Sequence, residues 1–130
     1  MYDTIYLVDD MPMVNLFHEI TLRNIGIEQD IRSFTDPEKA LDDLRFKNWH
    51  KKRALVLLDI NMPVMTGFEF LEFMVLEKLS ESIDVVIVSA STATEDRELA
   101  GSFPQYVNDY LPKPLQKAAL SQIFNTSYAS

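Results

Sequence analysis

Apolar positions in this chain follow two different rhythms. Thr4-Ile5-Tyr6-Leu7-Val8, Ala54-Leu55-Val56-Leu57-Leu58 and Ile83-Asp84-Val85-Val86-Ile87-Val88 are almost unbroken apolar runs rich in strand formers. Such runs predict strands covered on both faces, because a half-exposed strand would alternate polar and apolar residues. Ile27–Phe34 is more polar and predicts a strand at a sheet edge, and Tyr106–Leu111 predicts a fifth strand. Between these segments apolar residues recur every three or four positions, the period of a helix with one covered face. Pro12 opens the first helix with Asp10 as its cap. Val14, Phe17, Thr21 and Ile25 form its apolar side, widened by Leu16 and Ile20, and Gly26 ends it. Asp36-Pro37-Glu38 caps and starts the second, with Ala40, Leu41 and Leu44 inward. Phe68–Leu79 and Thr94–Ala100 predict two more, the latter closed by Gly101. In the third, Phe73 and Leu76 fall outward among Glu69, Glu72 and Glu77, away from Leu71 and Val75. Ala119, Leu120, Ile123 and Phe124 mark a last helix, followed by Asn125–Ser130 as a frayed tail.

Five strands alternating with five helices imply an α/β fold, a parallel sheet with right-handed crossovers and helices on both faces. A chain of 130 residues makes one such domain. Twelve basic against twenty acidic side chains leave a charge of −8, which argues against a grip on nucleic acid. The absence of cysteine removes disulfides, thiolate zinc sites and cysteine nucleophiles. No apolar run approaches the ~18–20 residues of a membrane span, and Met1-Tyr2-Asp3 does not open a signal peptide. The expectation is therefore a cytoplasmic domain that binds neither membrane nor nucleic acid.

In parallel sheets of this kind ligands sit at the carboxyl ends of the strands. There the sequence places Asp9 and Asp10 after the first strand, Asp59 after the third, Ser89 after the fourth and Lys113 after the fifth. Three carboxylates in one place repel, and a hard divalent cation such as Mg²⁺ relieves that repulsion through oxygen ligands. An ammonium and a hydroxyl beside the acids suit a bound anion instead. Metal, carboxylate, lysine and hydroxyl together describe a phosphoryl-transfer site whose carboxylate can act as a covalent nucleophile.

Four segments in order, Val8-Asp9-Asp10, Leu58-Asp59-Ile60-Asn61-Met62-Pro63-Val64-Met65-Thr66-Gly67, Val88-Ser89-Ala90 and Tyr110-Leu111-Pro112-Lys113-Pro114, give the chain a family likeness. It resembles the receiver domain of response regulators in two-component phosphorelay signalling, in stand-alone form, over essentially its whole length. The resemblance implies a flavodoxin-like, doubly wound sheet of strand order 2-1-3-4-5, with the receiver domain at 1–124, a short tail at 125–130 and no output domain. It implies that Asp59 accepts a phosphoryl group from a phosphohistidine of a sensor histidine kinase or histidine phosphotransfer protein. Asp9, Asp10, Asp59 and the Asn61 backbone carbonyl would hold Mg²⁺ (or Mn²⁺), Asp10 directly and Asp9 through water. Lys113 would contact the phosphoryl oxygens and Ser89 would close on them, while Tyr110 would turn inward as that hydroxyl moves. The Lys113–Pro114 bond would be cis. Output would pass by protein contact to an unknown downstream protein, from a monomer or weak dimer, without turnover of a substrate.

Other readings of the same residues stay open. A phosphorylation-independent adaptor could use this fold. A haloacid-dehalogenase-like phosphatase also carries a strand-end Asp nucleophile, but needs a second Asp where Asn61 stands. A flavodoxin-like cofactor binder would need a hydroxyl- and glycine-rich loop where Asp9-Asp10-Met11-Pro12 stands. His18 reads as a partly buried helix residue, and His50 as part of a solvated basic loop around a partly packed Trp49.

Overall fold

The computed structural model describes residues 2–91 and 93–129, with side chains through Asn125. The elements run β1 (Thr4–Val8), α1 (Pro12–Asn24), β2 (Asp30–Phe34), α2 (Pro37–Phe46), β3 (Ala54–Leu58), α3 (Gly67–Leu76), β4 (Ile83–Ser89), α4 (Thr94–Ala100), β5 (Val107–Pro112) and α5 (Lys117–Ala129). All strands are parallel, in the order β2-β1-β3-β4-β5, as the resemblance implied. Alternate strand residues feed two cores, because successive side chains leave opposite faces of a sheet. Tyr6, Val8, Val56, Leu58, Val85 and Ile87 pack with Ala40, Leu41 and Leu44 of α2, Phe70, Leu71 and Met74 of α3 and Ala100 of α4. Ile5, Leu7, Leu55, Leu57, Val86 and Val88 pack with Leu22 of α1 and Leu120 and Phe124 of α5. The central strands β1, β3 and β4 are wholly buried, whereas β2, at the edge, is largely open to solvent.

Several elements depart from the reading of the sequence, each for a local reason. β2 begins at Asp30: Gly26 takes a positive φ of 92°, and the carbonyls of Ile27 and Gln29 accept from the Arg23 guanidinium. α3 ends at Leu76, where Lys78 takes a left-handed φ of 51°. β5 starts after Tyr106, whose hydroxyl instead donates to the carbonyls of Leu79 and Met74. α5 continues through Ala129 where a frayed tail was expected from Asn125; Ser130 lies outside the described residues. On α3, Phe73 and Leu76 are exposed as expected, but Val75 joins them and Met74 takes the inward position.

The largest departure is in α1. Its buried residues are Asn15, His18, Thr21 and Leu22, while Leu16, Phe17 and Ile20 are about half exposed. Two stripes overlap on this helix, and apolar character alone favours the one that ends up outside. The Asn15 carboxamide settles the rotation by donating to the carbonyls of Asp9 and Phe34, at the ends of β1 and β2. Asp10 is not the cap: Met11 occupies that position without a side-chain bond, and Asp9 accepts from the Met11 amide.

Candidate functional site

Register assembles the site before any side chain is considered. Val8 pairs with Leu58 across β1 and β3, so Asp9 and Asp59 leave adjacent strands at the same level. The Asp59 amide donates to the Val8 carbonyl at 3.0 Å, and the Asp9 amide to the Phe34 carbonyl at 3.2 Å. Ser89 pairs with Pro112 across β4 and β5, and the Lys113 amide donates to the Ser89 carbonyl at 3.0 Å. β1 and β3 flank the point where strand order reverses, the crevice in which open α/β sheets bind ligands.

Oxygens of Asp9, Asp10 and Asp59 all lie within 4.8 Å of one another. The Lys113 ammonium donates to Asp9 at 2.6 Å and lies 3.2 Å from Asp59. Asp9 and Asp59 are almost fully buried; Asp10 is half-buried. Burial pushes the Asp59 carboxyl above its ordinary range, opposed by the Lys113 charge, reinforced by Asp9, and opposed again by bonds from Lys113 and the Asn61 amide. Burial works the other way on Lys113, but its bond to Asp9 and the charges of Asp59 and Asp9 outweigh that, so the ammonium is held above its ordinary value. When ionised, three carboxylates against one ammonium leave −2, which a divalent cation would balance. Clustered carboxylate oxygens with no nitrogen or sulfur ligand are the donor set that Mg²⁺ favours.

The loop after β3 is built around Asp59. Met62 and Met65 turn into the core, leaving Asn61 exposed. Thr66 caps α3 in a reciprocal box, accepting from the Glu69 amide while the Glu69 carboxylate accepts from the Thr66 amide. Gly67 then passes so close that a Cβ there would sit 2.6 Å from the Asp59 carbonyl oxygen and 3.0 Å from the Ile60 Cα. The Thr66-x-x-Glu69 spacing was a legible signal that the motif reading passed over.

Ser89 is fully buried, and its hydroxyl accepts from the Ser91 amide at 3.0 Å; among the described residues it makes no bond to Asp59. Tyr110 is also buried, its hydroxyl donating to the Ser91 carbonyl at 3.2 Å and its ring lying 4.8 Å beneath the Arg97 guanidinium. The inward ring therefore coexists with a Ser89 hydroxyl still held by Ser91. The Lys113–Pro114 bond is cis. His18 is buried beside this site, and burial followed by the Lys113 charge lowers its pKa, against a smaller opposing effect of Asp9.

The family profile described as "Response regulator receiver domain" matches residues 5–125. The chain belongs to this family. A probable methanogenesis regulatory protein, FilR2 of Methanothrix harundinacea, is 30% identical over 113 residues, covering 85% of this chain and 72% of that protein. The two-component response regulator ORR1 of Oryza sativa (japonica) is 26% identical over 130 residues, 97% of this chain but only 55% of the rice protein. Among solved structures, a two-component response regulator from Cytophaga hutchinsonii superposes with a TM-score of 0.86 at 24% identity, covering 99% of this receiver domain and 98% of that chain. A response regulator receiver protein from Dyadobacter fermentans gives 0.83 at 26% identity, covering 96% and 97%. Receiver domains generally bind Mg²⁺ through an acidic pocket and interact with histidine kinases or phosphotransfer proteins, and this chain gathers Asp9, Asp10 and Asp59 into an acidic group. Among the described residues of this receiver domain no helix is long and apolar enough to cross a membrane.

Proposed function

We propose that this receiver domain accepts a phosphoryl group on Asp59 from a phosphohistidine of a sensor histidine kinase or phosphotransfer protein, and signals by contact with another protein. The observation that carries the reading is the buried Asp59 carboxylate, 3.2 Å from the Lys113 ammonium and clustered with two further acids. An Asp59 oxygen attacks phosphorus while the donor's N–P bond breaks, and the bonding pair returns to the imidazole nitrogen. Lys113, held protonated, places positive charge beside the transferring oxygens. Asp9, Asp10, Asp59 and the Asn61 carbonyl would hold Mg²⁺, which supplies neutralisation of the charge developing there.

The response is carried by Ser91. Its amide holds the Ser89 hydroxyl and its carbonyl holds the Tyr110 hydroxyl. A phosphoryl group on Asp59 offers Ser89 a stronger, charged acceptor. When Ser89 turns to it, the Ser91 amide is released and the Tyr110 bond on the same residue is disturbed, shifting α4 and β5 toward another population. The exposed stripe of α1 supports a protein donor. Met13, Leu16, Phe17 and Ile20 have helical spacing, and a cavity of about 320 Å³ lined by Met13, Val14, Phe17, His18, Lys113 and Pro114 continues that stripe to the site. An apolar helix of the donor laid there would deliver its imidazole to Asp59.

In this reading the chain acts in the cytoplasm, as a monomer or weak dimer, and turns over no substrate. Asn61 stands where a haloacid-dehalogenase-like phosphatase needs its second Asp, which disfavours that rival. The test is transfer from a radiolabelled phosphotransfer protein. One equivalent passing to the receiver domain, abolished in Asp59→Asn, is expected. Continuous hydrolysis of a phosphate ester, or equal labelling of Asp59→Asn, would contradict the reading.

A further inference from the structure

Asn15 is a polar side chain in an expensive place. It is 3% exposed, and its Oδ1 has no hydrogen-bond partner among the described residues. A buried acceptor left in that state costs stability, so a residue needed only to fill space would be apolar. The carboxamide cannot be turned over to escape the problem, because both groups at its Nδ2 are carbonyl oxygens, each 3.1 Å away. One belongs to Asp9 and the other to Phe34, whose carbonyl also accepts from the Asp9 amide.

Asp9 is therefore fixed on every side. Its amide is held by Phe34, its carbonyl by Asn15, and its carboxylate by the Met11 amide and Lys113. Asp10 is held by nothing of its own: among the described residues its carboxylate has no hydrogen bond or ion pair. The Asp9 carbonyl lies in the same rigid plane as the Asp10 nitrogen and Cα. Orienting that carbonyl orients the peptide from which Asp10 projects. α1 also lacks a side-chain cap, so Asn15 ties its first turn to the strand ends instead.

We infer that Asn15 is a positioning residue for Mg²⁺ binding, aiming the Asp10 carboxylate through the Asp9–Asp10 peptide. The inference rests on the metal-dependent reading above but concerns a residue outside the acid cluster. Outer partners of metal ligands typically change affinity by roughly 10–100-fold, and one acting through the backbone belongs at the lower end.

The experiment is calorimetric titration of Mg²⁺ into wild type, Asn15→Leu, Asn15→Ala and Leu22→Ala, with urea unfolding of each metal-free protein. Leu22 is fully buried in the same helix but packs in the core below the site, so its truncation loosens α1 without touching the Asp9 carbonyl. Asn15→Leu removes the orphaned acceptor while filling the space, and is expected to stay folded while binding Mg²⁺ about tenfold more weakly. Asn15→Ala should weaken binding to the same degree even if less stable, and Leu22→Ala should lose stability with unchanged affinity. Folded Asn15 variants that bind like wild type, or an affinity loss in Leu22→Ala equal to theirs, would overturn the inference while the Asp59 reading stood. Wild type failing to bind Mg²⁺ would overturn both.

Discussion

Replacing Gly67 with alanine should injure the site through sterics alone. The new Cβ would lie 2.6 Å from the Asp59 carbonyl oxygen and 3.2 Å from its carbon, against an ordinary contact distance of at least 3.4 Å. A separation of 2.6 Å must open to 3.4 Å, so either α3 or the Asp59 backbone moves by about 0.8 Å. The obstacle is backbone, not the tip of a flexible side chain, and Gly67 is further tied by its amide to the Ile60 carbonyl at 2.9 Å. Overpacking of this kind costs about 1–3 kcal/mol. A misplacement on the order of 1 Å at a reacting group can cost on the order of 100-fold in rate. Gly26→Ala is the matching control. It strains a φ of 92° but meets nothing within 4 Å, and it lies at the opposite end of α1 from the site. Forcing an alanine there costs about 1–2 kcal/mol. The assay pairs urea unfolding with the rate of labelling by acetyl phosphate at saturating Mg²⁺. Both variants should lose comparable stability, and only Gly67→Ala should lose labelling rate. Wild-type labelling by Gly67→Ala, or an equal rate loss in both, would refute the steric argument.

Lys113→Met leaves two buried carboxylates without their cation. Stability at pH 7 should fall by about 2–3 kcal/mol, less than the ~3–5 of a fully enclosed pair because the ammonium keeps some exposure, and should recover on acidification; melts across pH test this. Because burial raises Asp59, the fold retains a proton in the range just above 3.8 that the unfolded chain has released. Metal-free stability should thus fall with rising pH there, and the wild-type minus Asp59→Asn difference should show that fall, then flatten above the raised value; a flat difference throughout would contradict the burial argument. At the far end of the sheet Asp84 accepts from the Tyr2 hydroxyl and from Arg53. Asp84→Ala should cost about 1–3 kcal/mol in urea unfolding without slowing labelling. Arg97→Ala removes the cation above Tyr110 and should loosen that ring, seen as greater solvent quenching of tyrosine emission relative to an Arg97→Lys control.

What the sequence disclosed, it disclosed where one physical demand ruled. Uniform apolar runs had to be strands buried on both faces, and alternation with helices then delivered a parallel sheet with Asp9, Asp59, Ser89 and Lys113 along one edge. α1 was misjudged because two demands competed. Phe17, Leu16 and Ile20 looked inward by apolarity, but the carbonyls ending β1 and β2 needed a donor, and Asn15 had to face them. The same competition hid Asn15 as a functional residue, since an asparagine in a helix reads as surface. Its sequence signal is position alone, five residues after Asp10. Strand and helix ends were missed by a few residues where left-handed positions at Lys78 and Gly26 decided them, which periodicity does not record.

The proposed role of Asp59 as phosphoryl acceptor, armed by Lys113 and a divalent ion among the acids, can be read out at the residue itself. The most direct measurement is incubation with acetyl phosphate, with Mg²⁺ and with chelator, followed by borohydride trapping of the acyl phosphate and peptide mapping. One modified residue, Asp59, is expected, and only when Mg²⁺ is present. Modification at another residue, or at Asp59 to the same extent in chelator, would contradict it.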